Sequence, residues 1–343
     1  MPNITHMSKA YKYRGGRGIL DKDGHSIFER DITTLANNQL YLPTKDGLND
    51  PTEGVYKNDM LKMFFNLFSE YSNNVEEQYN KFTDKFSKVG VYSLSKSFDN
   101  ELLWAYYASG HTGFAIEYDI DALEQSLNYN TYVRQLYKFD VEYLNDVPKI
   151  DMSTIRGNEI IEMLKRFIGT KSSSWAHEKE VRLIFENTGL LDIDYKAVTA
   201  IYFGCKMPDG DIDYIMEKLK GRGVKYFKMV NVNHSYRFEA KEIEDKYPDA
   251  PKYVANCTSY DIDNLLLCGA LNEEEIATYK NYFINALETI KNEPNIKEFY
   301  LATISYDQKE PILKIFGYTN NSLSPIKSFA FRIGDNNNVL RIK

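Results

Sequence analysis

The sequence predicts an α+β fold: a mixed, mainly antiparallel sheet wrapped by helices, with a second small helix-plus-β-meander domain at the C-terminus. Short alternating apolar stretches, which are typical of half-buried strands, recur between stretches with helical periodicity. Their irregular spacing disfavours a regularly wound parallel βαβ sheet. Two prolines within 246–251 interrupt this pattern, and a new series of one helix and four short strands follows them.

The composition indicates a folded chain that is large enough for two domains. Of its 343 residues, 43% are hydrophobic and 14% are aromatic, which is more than disordered chains carry. The net charge of -7 disfavours broad attraction to nucleic acid or to an anionic membrane, although a local basic groove for nucleic acid stays open. The three cysteines lack CxxC spacing, and neither a leader nor a span of ~18 apolar residues is found, so we expect a cytoplasmic protein with no membrane partner.

The first half of the chain alternates predicted strands and helices. We expect strands at 9–14, 39–43, 90–96 and 111–119, and a mostly extended segment at 132–143. Helices are predicted at 31–37, 58–89 (as a helical hairpin), 100–109, 121–127 and 155–171. Asp31 is expected near the start of its helix, and Asn49-Asp50-Pro51 is expected to form a turn with its carboxylate and amide exposed.

The second half divides at the proline-containing segment. Before it we expect strands at 181–185, 198–204, 224–230 and 234–243 and a helix at 211–221. After it we expect a helix at 272–292 and strands at 298–306, 311–318, 326–333 and 339–342. The pattern predicts two domains, residues 1–245 and 252–343, and the second lacks a cluster of ligand-type side chains, so we interpret it as an interaction or regulatory domain.

The segment 175–185 carries the sharpest chemical pattern in the chain. Glu178, Glu180 and Arg182 alternate at the start of an apolar stretch, so a strand there would project all three from one face. This arrangement holds two carboxylates and a guanidinium on a rigid element. The alternative is a solvated edge strand in which Glu180 and Arg182 form a weak surface pair.

His111 is a second candidate for chemistry. It precedes a predicted strand and follows a helix in which Trp104 and Tyr107 lie three residues apart on one face, so these side chains could form a pocket. A neutral imidazole there could act as an acid or base. The alternative is structural, with His111 ordering the turn and both rings in the core.

Seven motifs occur together in one order over residues 9 to 243. They are YKYR at 11–14, NDP at 49–51, VYSLS at 91–95, LLWAYYA at 102–108, HTGFAIEYD at 111–119, WAHEKEVR at 175–182 and IYFG at 201–204. Together they resemble the bacterial domain-of-unknown-function 2971 family, which is often linked by genomic context to phage defence. The last ~90 residues lie outside the resemblance, in agreement with the predicted domain boundary.

Within that span, Arg14, Ser93-x-Ser95 and Glu178-x-Glu180 resemble the Arg, Ser-x-Ser, Glu-x-Glu pattern of ADP-ribosyltransferases. The resemblance implies that NAD is the substrate, that Arg14 binds its diphosphate, and that Ser93 or Ser95 orders the nicotinamide pocket. It also implies that Glu180 stabilises the oxocarbenium ion while Glu178 assists. A guanidinium fork matches phosphate oxygens, and a carboxylate favours positive charge on a sugar ring. The candidate stacking rings are Tyr13, Tyr41, Tyr92, Trp104 and Tyr107.

We therefore expect an NAD-consuming ADP-ribosyltransferase-like effector in phage defence or toxin activity, whose C-terminal domain contacts a phage or host protein. The alternative is a non-enzymatic sensor module that binds a ligand or a phage protein at the Trp104, Tyr107 and His111 pocket. A further alternative is a metal-dependent nuclease using Asp50, His111, Glu178 and Glu180, although no metal-ligand spacing motif supports a metal site.

Overall fold

The computed structural model describes the greater part of the chain. The described residues are 9–44, 47–52, 54–55, 84, 88–128, 135–149, 160–255, 258–293, 296–307, 310–319, 326–334 and 338–342. The helical hairpin predicted at 58–89 lies outside these residues except for positions 84, 88 and 89.

Twelve strands precede residue 245 in the described part of the chain. They are β1 (Lys9–Arg14), β2 (Gln39–Leu42), β3 (Gly90–Ser95), β4 (Phe114–Asp119), β5 (Gln135–Asp140), β6 (Glu142–Leu144), β7 (Thr170–Ser172), β8 (Glu180–Phe185), β9 (Gly189–Asp192), β10 (Val198–Phe203), β11 (Lys225–Asn231) and β12 (Phe238–Ile243). Eight of them form one sheet in the order β12-β11-β10-β4-β1-β3-β8-β5. Only the β10–β11 pair of this sheet is parallel, which confirms the predicted mixed, mainly antiparallel sheet.

The helices cover both faces of the sheet. They are α1 (Ile27–Ala36), α2 (Glu101–Tyr106), α3 (Ile120–Asn128), α4 (Ile160–Ile168) and α5 (Asp209–Leu219). Side chains of α1, α3 and α5 pack with Ala10 of β1 in one core, whereas Leu103 and Trp104 of α2 pack with Tyr11 and Tyr13 in another. Because strand side chains alternate between faces, Lys12 and Arg14 lie on the α1 face and the two tyrosines on the α2 face.

Several predicted helix ends differ from the structure by three or four residues, and two of the differences have local causes. Ser26 caps α1 by accepting a hydrogen bond from the backbone of Glu29, so Asp31 lies inside the helix instead of near its start. The helix predicted to run to residue 171 ends at Ile168. At Gly169 an added Cβ would lie 2.6 Å from the Phe139 side chain, and this close approach turns the chain into β7.

The sheet is weakly joined between β1 and β3. Tyr11 opposite Ser95 is the only residue pair bridging them, although β1 pairs along its whole length with β4 and β3 along its whole length with β8. Beyond that bridge, the Lys12 ammonium donates a hydrogen bond to the Ser93 carbonyl at 2.9 Å. The Lys12 side chain thus continues the contact between β1 and β3 where their backbone hydrogen bonds stop.

Glycines allow three motif segments to cross at one end of the sheet. An added Cβ at Gly113 would lie 2.1 Å from the Arg14 carbonyl oxygen, and one at Gly204 would lie 2.2 Å from the His111 carbonyl oxygen. Any side chain at either position would therefore collide with backbone. The crossing joins the ends of β1 and β10 to the start of β4.

The C-terminal elements form a separate four-stranded antiparallel sheet backed by helices. They are α6 (Ile262–Cys268), α7 (Glu273–Ile290), β13 (Ile296–Asp307), β14 (Glu310–Thr319), β15 (Ile326–Ile333) and β16 (Val339–Arg341). Asn272 and Glu275 form a capping box at the start of α7, and Phe283 and Leu287 of that helix pack on the sheet. The predicted helix-plus-meander architecture is confirmed.

The chain between the two sheets contacts the first one. The Tyr253 amide donates to the Gly221 carbonyl at 2.8 Å, and its hydroxyl accepts from the Asn38 amide at 3.0 Å. The Arg222 guanidinium stacks 3.8 Å from the centre of the Tyr253 ring. Residues just after the predicted linker are thus fastened to the larger sheet unit, while the exact domain boundaries stay a prediction.

Candidate functional site

Glu178 and Glu180 belong to different elements. A 3-10 helix runs over Ser173–Glu178, and Lys179 then adopts a left-handed conformation (φ 46) before β8 begins at Glu180. The expectation that Glu178, Glu180 and Arg182 share one strand face is therefore wrong for Glu178. The reason is local, since the Ser172 hydroxyl caps the 3-10 helix and keeps this segment out of the strand.

Glu180 and Arg182 do project from the same face of β8, and they form a buried, bidentate ion pair. Arg182 donates to both carboxylate oxygens of Glu180, at 2.8 and 3.0 Å, and to the Ile168 carbonyl at 2.6 Å. Arg182 is fully buried and Glu180 is 7% exposed. Burial alone would raise the pKa of Glu180, but the charge and hydrogen bonds of Arg182 outweigh it and hold that pKa below its ordinary value.

Lys171 links this pair to Glu178. Its ammonium lies 2.7 Å from one Glu178 oxygen and 3.7 Å from Glu180. The other Glu178 oxygen accepts from the Tyr107 hydroxyl at 2.6 Å, and that hydroxyl lies 3.4 Å from the amide nitrogen of the exposed Asn49. We call Tyr107, Lys171, Glu178, Glu180 and Arg182 the acid network. It connects the surface at Asn49 with the core at Arg182.

The structure places both predicted serines beside the acid network. The Ser95 hydroxyl donates to the backbone carbonyl of Glu178 at 2.8 Å and thereby fixes the turn that carries this glutamate. Ser93 lies opposite Arg182 in the β3–β8 ladder, so its buried hydroxyl is on the Glu180 face of the sheet. Ser95 is therefore a positioning residue for Glu178.

Arg14 lies on the other face of the sheet. The pairing of Tyr11 with Ser95 puts Tyr11 on the Glu180 face, so Arg14, three residues further along β1, projects towards α1. There its guanidinium is 3.6 Å from the carboxylate of Asp31, and its Nε atom is buried without an acceptor. The structure does not bring the predicted diphosphate-binding arginine to the predicted catalytic carboxylate.

Lys12 accompanies Arg14 on the α1 face. Its ammonium lies 5.1 Å from the centre of the Tyr92 ring, in addition to its bond to the Ser93 carbonyl. Burial and the neighbouring Arg14 charge lower the pKa of Lys12 to about 7, against the opposing attraction of Glu180 and Asp31. We call Lys12, Arg14 and Asp31 the Lys12–Arg14 site.

The rings expected to stack a cofactor are mostly in the core. Trp104 is fully buried, donates from its indole nitrogen to the Phe98 carbonyl at 2.7 Å and meets the Tyr13 ring edge-on at 5.2 Å. Tyr92 is also buried, and its hydroxyl bonds that of Tyr118 at 3.0 Å. Only Tyr107 and Tyr41 of the five candidates stay accessible.

His111 is not part of the acid network. Its ring stacks on Phe238 of β12 at 5.0 Å, and its backbone has a positive φ of 73. Burial and the nearby Lys206 lower the pKa of His111, and its Nδ1 atom has no hydrogen-bond partner. The expected Trp104, Tyr107 and His111 pocket is thus divided among a core, the acid network and a separate stack.

Four residues of these sites are not predicted from the sequence. The pattern predicts a helix at Lys171 and includes Lys12 only within a motif, although both are charged residues inside apolar patterns. Trp175 and His177 lie in the sharpest motif, but the sequence does not indicate that they meet Tyr106, which lies one α2 turn from Leu102. A charged residue in a buried strand pattern is the signal that would have identified the two lysines.

The described residues hold no group of three or more His, Cys, Asp and Glu side chains suited to a metal ion. In the same part of the chain, no helix combines the length and apolarity needed to cross a membrane. Asp50, expected in an exposed turn, is instead 5% exposed and accepts hydrogen bonds from the Thr52 backbone and hydroxyl.

Residues 103–183 match the model of a family described as a protein of unknown function, DUF2971. This segment is therefore similar to the DUF2971 family, as the motifs within it predict. The resemblance of Arg14, Ser93-x-Ser95 and Glu178-x-Glu180 to ADP-ribosyltransferases stays a prediction. No curated protein and no solved structure gave a significant match to the chain.

The DUF2971 segment begins in α2 and ends in β8, so it contains every member of the acid network. The first strand, with Lys12 and Arg14, and the Ile201 to Gly204 motif lie outside the matched residues. The chemistry of the acid network is therefore carried by the family segment, whereas the Lys12–Arg14 site is added by the strand that pairs beside it.

Proposed function

We propose that this chain binds a phosphate-bearing nucleotide of the NAD type, with the phosphate at the Lys12–Arg14 site. The observation that carries this proposal is an imbalance of charge around two half-buried cationic side chains, Lys12 and Arg14. Among the described residues, Asp31 is the only carboxylate within 4 Å of Arg14, none lies that close to Lys12, and the Arg14 Nε–H has no acceptor. A phosphate group supplies the acceptors and the negative charge that this arrangement lacks.

The position at the junction of β1 and β3 supports the same proposal. The two strands separate after a single bridge, and Lys12 and Ser93 meet across the opening. The buried Arg14 Nε–H, which has no acceptor, lies on the α1 face of this junction. Such an orphan group costs free energy that a bound ligand would recover.

The geometry supports binding better than ADP-ribosyl transfer. Glu180 is held at both oxygens by Arg182, and Glu178 is held by Tyr107 and Lys171. A carboxylate that stabilises a ribosyl cation must first be released from such partners. We therefore propose a nucleotide-binding sensor module. If the bound nucleotide also reacts, the reaction we propose is the consumption of NAD. A role in phage defence, with the C-terminal domain contacting a phage or host protein, is part of this proposal.

Binding is tested by thermal unfolding with NAD, ADP-ribose and inorganic diphosphate. All three share the phosphate groups, so each is expected to raise the unfolding temperature with the logarithm of its concentration. Arg14→Gln should abolish the effect. Arg30→Gln is the matched control, because Arg30 also bonds Asp31 but is exposed. A shift that persists in Arg14→Gln, or no shift with any of the three ligands, would contradict the proposal.

NAD consumption is tested by chromatography of released nicotinamide. Glu180→Gln and Glu178→Gln are preferable to alanine variants because they keep hydrogen-bonding atoms near Arg182 and Lys171. Release by the wild type that is lost in Glu180→Gln would establish the enzymatic form with Glu180 as the catalytic carboxylate. Binding without release, with cell lysate added as a source of acceptors, would establish the sensor module.

A further inference from the structure

An exposed group of rings lies on the α2 face of the molecule. Tyr106, Trp175 and His177 have ring centres 6.0 to 6.5 Å apart, and Tyr106 is 61% exposed. Underneath, the Lys171 ammonium lies 4.8 Å from the centre of the Trp175 ring. These rings are therefore anchored by the acid network, because the same lysine bonds Glu178.

An open cleft adjoins these rings and shares His177 with them. Its other walls include Asp99 and Glu101, which precede and begin α2, the apolar side chain of Leu102, and Arg237 from the turn before β12. Two carboxylates and one guanidinium thus surround the cleft. This lining offers many acceptors and a few donors beside an apolar surface.

The hydrogen bonding of His177 leaves one ring nitrogen without a partner. Its Nδ1 atom lies 3.1 Å from the Ser174 carbonyl, which can only accept, so Nδ1 donates to it. The Nε2 atom is buried and has no hydrogen-bond partner. A ligand hydroxyl, which can donate or accept, would remove the cost of this orphan atom if it bonded there.

We propose that the cleft at His177 binds a neutral, polyhydroxylated ligand, a sugar ring, whose apolar face packs on Tyr106 and Trp175. Sugar hydroxyl groups both donate and accept, so they match a lining of carboxylates, an imidazole and a guanidinium. Aromatic side chains beside a few placed polar groups are the usual composition of small-molecule sites.

This site is distinct from the Lys12–Arg14 site. It lies on the α2 face, whereas Lys12 and Arg14 project towards α1. The excess of carboxylates at the cleft repels a phosphate, so the two sites select for different chemistry. The sugar-binding proposal stands or falls independently of nucleotide binding.

Tryptophan fluorescence can test this site directly because the chain contains only two tryptophans. Trp104 is fully buried, so Trp104→Phe leaves Trp175 as the single reporter. Ribose, glucose, N-acetylglucosamine and maltose are titrated in turn, with inorganic phosphate as a charged comparison. We expect a saturable change in Trp175 emission with at least one sugar, at a dissociation constant on the order of 1 mM, and none with phosphate.

Matched tyrosine variants decide whether the signal comes from the cleft. Tyr106→Ala is expected to weaken sugar binding at least ~10-fold, because it removes a ring from the packing face. Tyr306→Ala removes an equally exposed ring on the C-terminal sheet, 61% exposed like Tyr106, and should leave binding unchanged. Saturation-transfer NMR on the unlabelled wild type repeats the comparison without the Trp104 substitution. No saturable signal with any of the sugars, or equal affinity in Tyr106→Ala, overturns the proposal.

Discussion

Arg182 is a fully buried guanidinium, and within the described residues it bonds both carboxylate oxygens of Glu180 on the same strand. Removing that carboxylate leaves a buried positive charge, which costs far more than the loss of a surface pair. At this position the ion pair therefore controls folding as well as any chemistry. It follows that a loss of activity in Glu180→Ala could result from unfolding as well as from the loss of a catalytic group.

We expect Glu180→Ala to lower the free energy of unfolding by about 3 to 5 kcal/mol, because buried Arg182 loses the carboxylate that it bonds at both oxygens. The double variant Glu180→Met/Arg182→Leu removes both charges and should recover most of that loss. Urea unfolding followed by circular dichroism measures both. A loss below about 1 kcal/mol in Glu180→Ala would show that the pair behaves like an exposed one.

The low pKa of Lys12 predicts a pH dependence with a definite sign. Its folded value of about 7 lies below its ordinary value of 10.5, so between these values the unfolded chain holds a proton that the folded chain has released. Stability contributed by this group therefore rises as the pH increases through this window. Below about pH 7 Lys12 is charged in both the folded and the unfolded chain, so the full cost of burying its charge is present only there.

Lys12→Met is expected to flatten the rise and to stabilise the protein most at the acid end of the window. Urea unfolding of the wild type and the variant between about pH 6 and pH 10 gives the comparison. Lys241→Met, which alters an exposed lysine of β12, is the control and should keep the wild-type profile. Identical profiles for the wild type and Lys12→Met would mean that Lys12 keeps its proton in the folded state.

At the scale of elements, the glycine crossing explains why three motifs of the family-like region are needed together. Gly113 and Gly204 let β4 and β10 approach the ends of neighbouring segments within a distance that no Cβ allows. The motifs that contain them therefore have a packing role. Their presence in the sequence says more about how the strands assemble than about chemistry.

Gly113→Ala and Gly204→Ala are each expected to lower the free energy of unfolding by at least about 2 kcal/mol, because backbone must move to admit the methyl group. Gly210→Ala is the matched control: it lies in α5, where an added Cβ meets nothing within 4 Å. It should stabilise the protein by about 0.5 to 1 kcal/mol. Thermal and urea unfolding of the three variants test this, and equal effects at all three positions would refute the crossing.

The sequence predicts which residues of one strand share a face, but it does not predict the register in which two strands pair. The alternating pattern correctly placed Glu180 and Arg182 on one face, and the turn signals correctly predicted the C-terminal meander. The face shared by Arg14 and Glu180 depends on the register of β1 against β3, and a shift of one residue would reverse it. The left-handed Lys179 that separates Glu178 from the strand also has no clear signal, since lysine is uncommon in that conformation.

At the scale of the whole molecule, one aromatic contact fastens the connecting chain to the larger sheet unit. Tyr253 packs against Arg222 and bonds Asn38, and all three lie outside the hydrophobic cores of the two sheet units. We expect Tyr253→Ala to leave these cores intact while loosening the connection between the units. Calorimetry should then show two unfolding transitions that separate further than in the wild type.

Tyr247→Ala is the control for this prediction, because Tyr247 lies on the same connecting chain but packs at the edge of the larger core. It should lower the first transition without separating the two. Limited proteolysis should cut Tyr253→Ala between residues 244 and 258 faster than either the wild type or Tyr247→Ala. Unchanged cleavage and an unchanged heat-capacity profile in Tyr253→Ala would show that the contact of Tyr253 with Arg222 and Asn38 does not hold the connecting chain on the larger sheet unit.

The single bridge between β1 and β3 gives the large sheet two leaves, one of five strands and one of three. A sheet hinged in this way need not open as one cooperative unit, and amide groups along the seam are expected to exchange with deuterium earlier than those inside either leaf. A ligand bound beside Lys12 and Arg14 at this junction would hold the two leaves together. The rigidity of the whole molecule would then report on the occupancy of one seam.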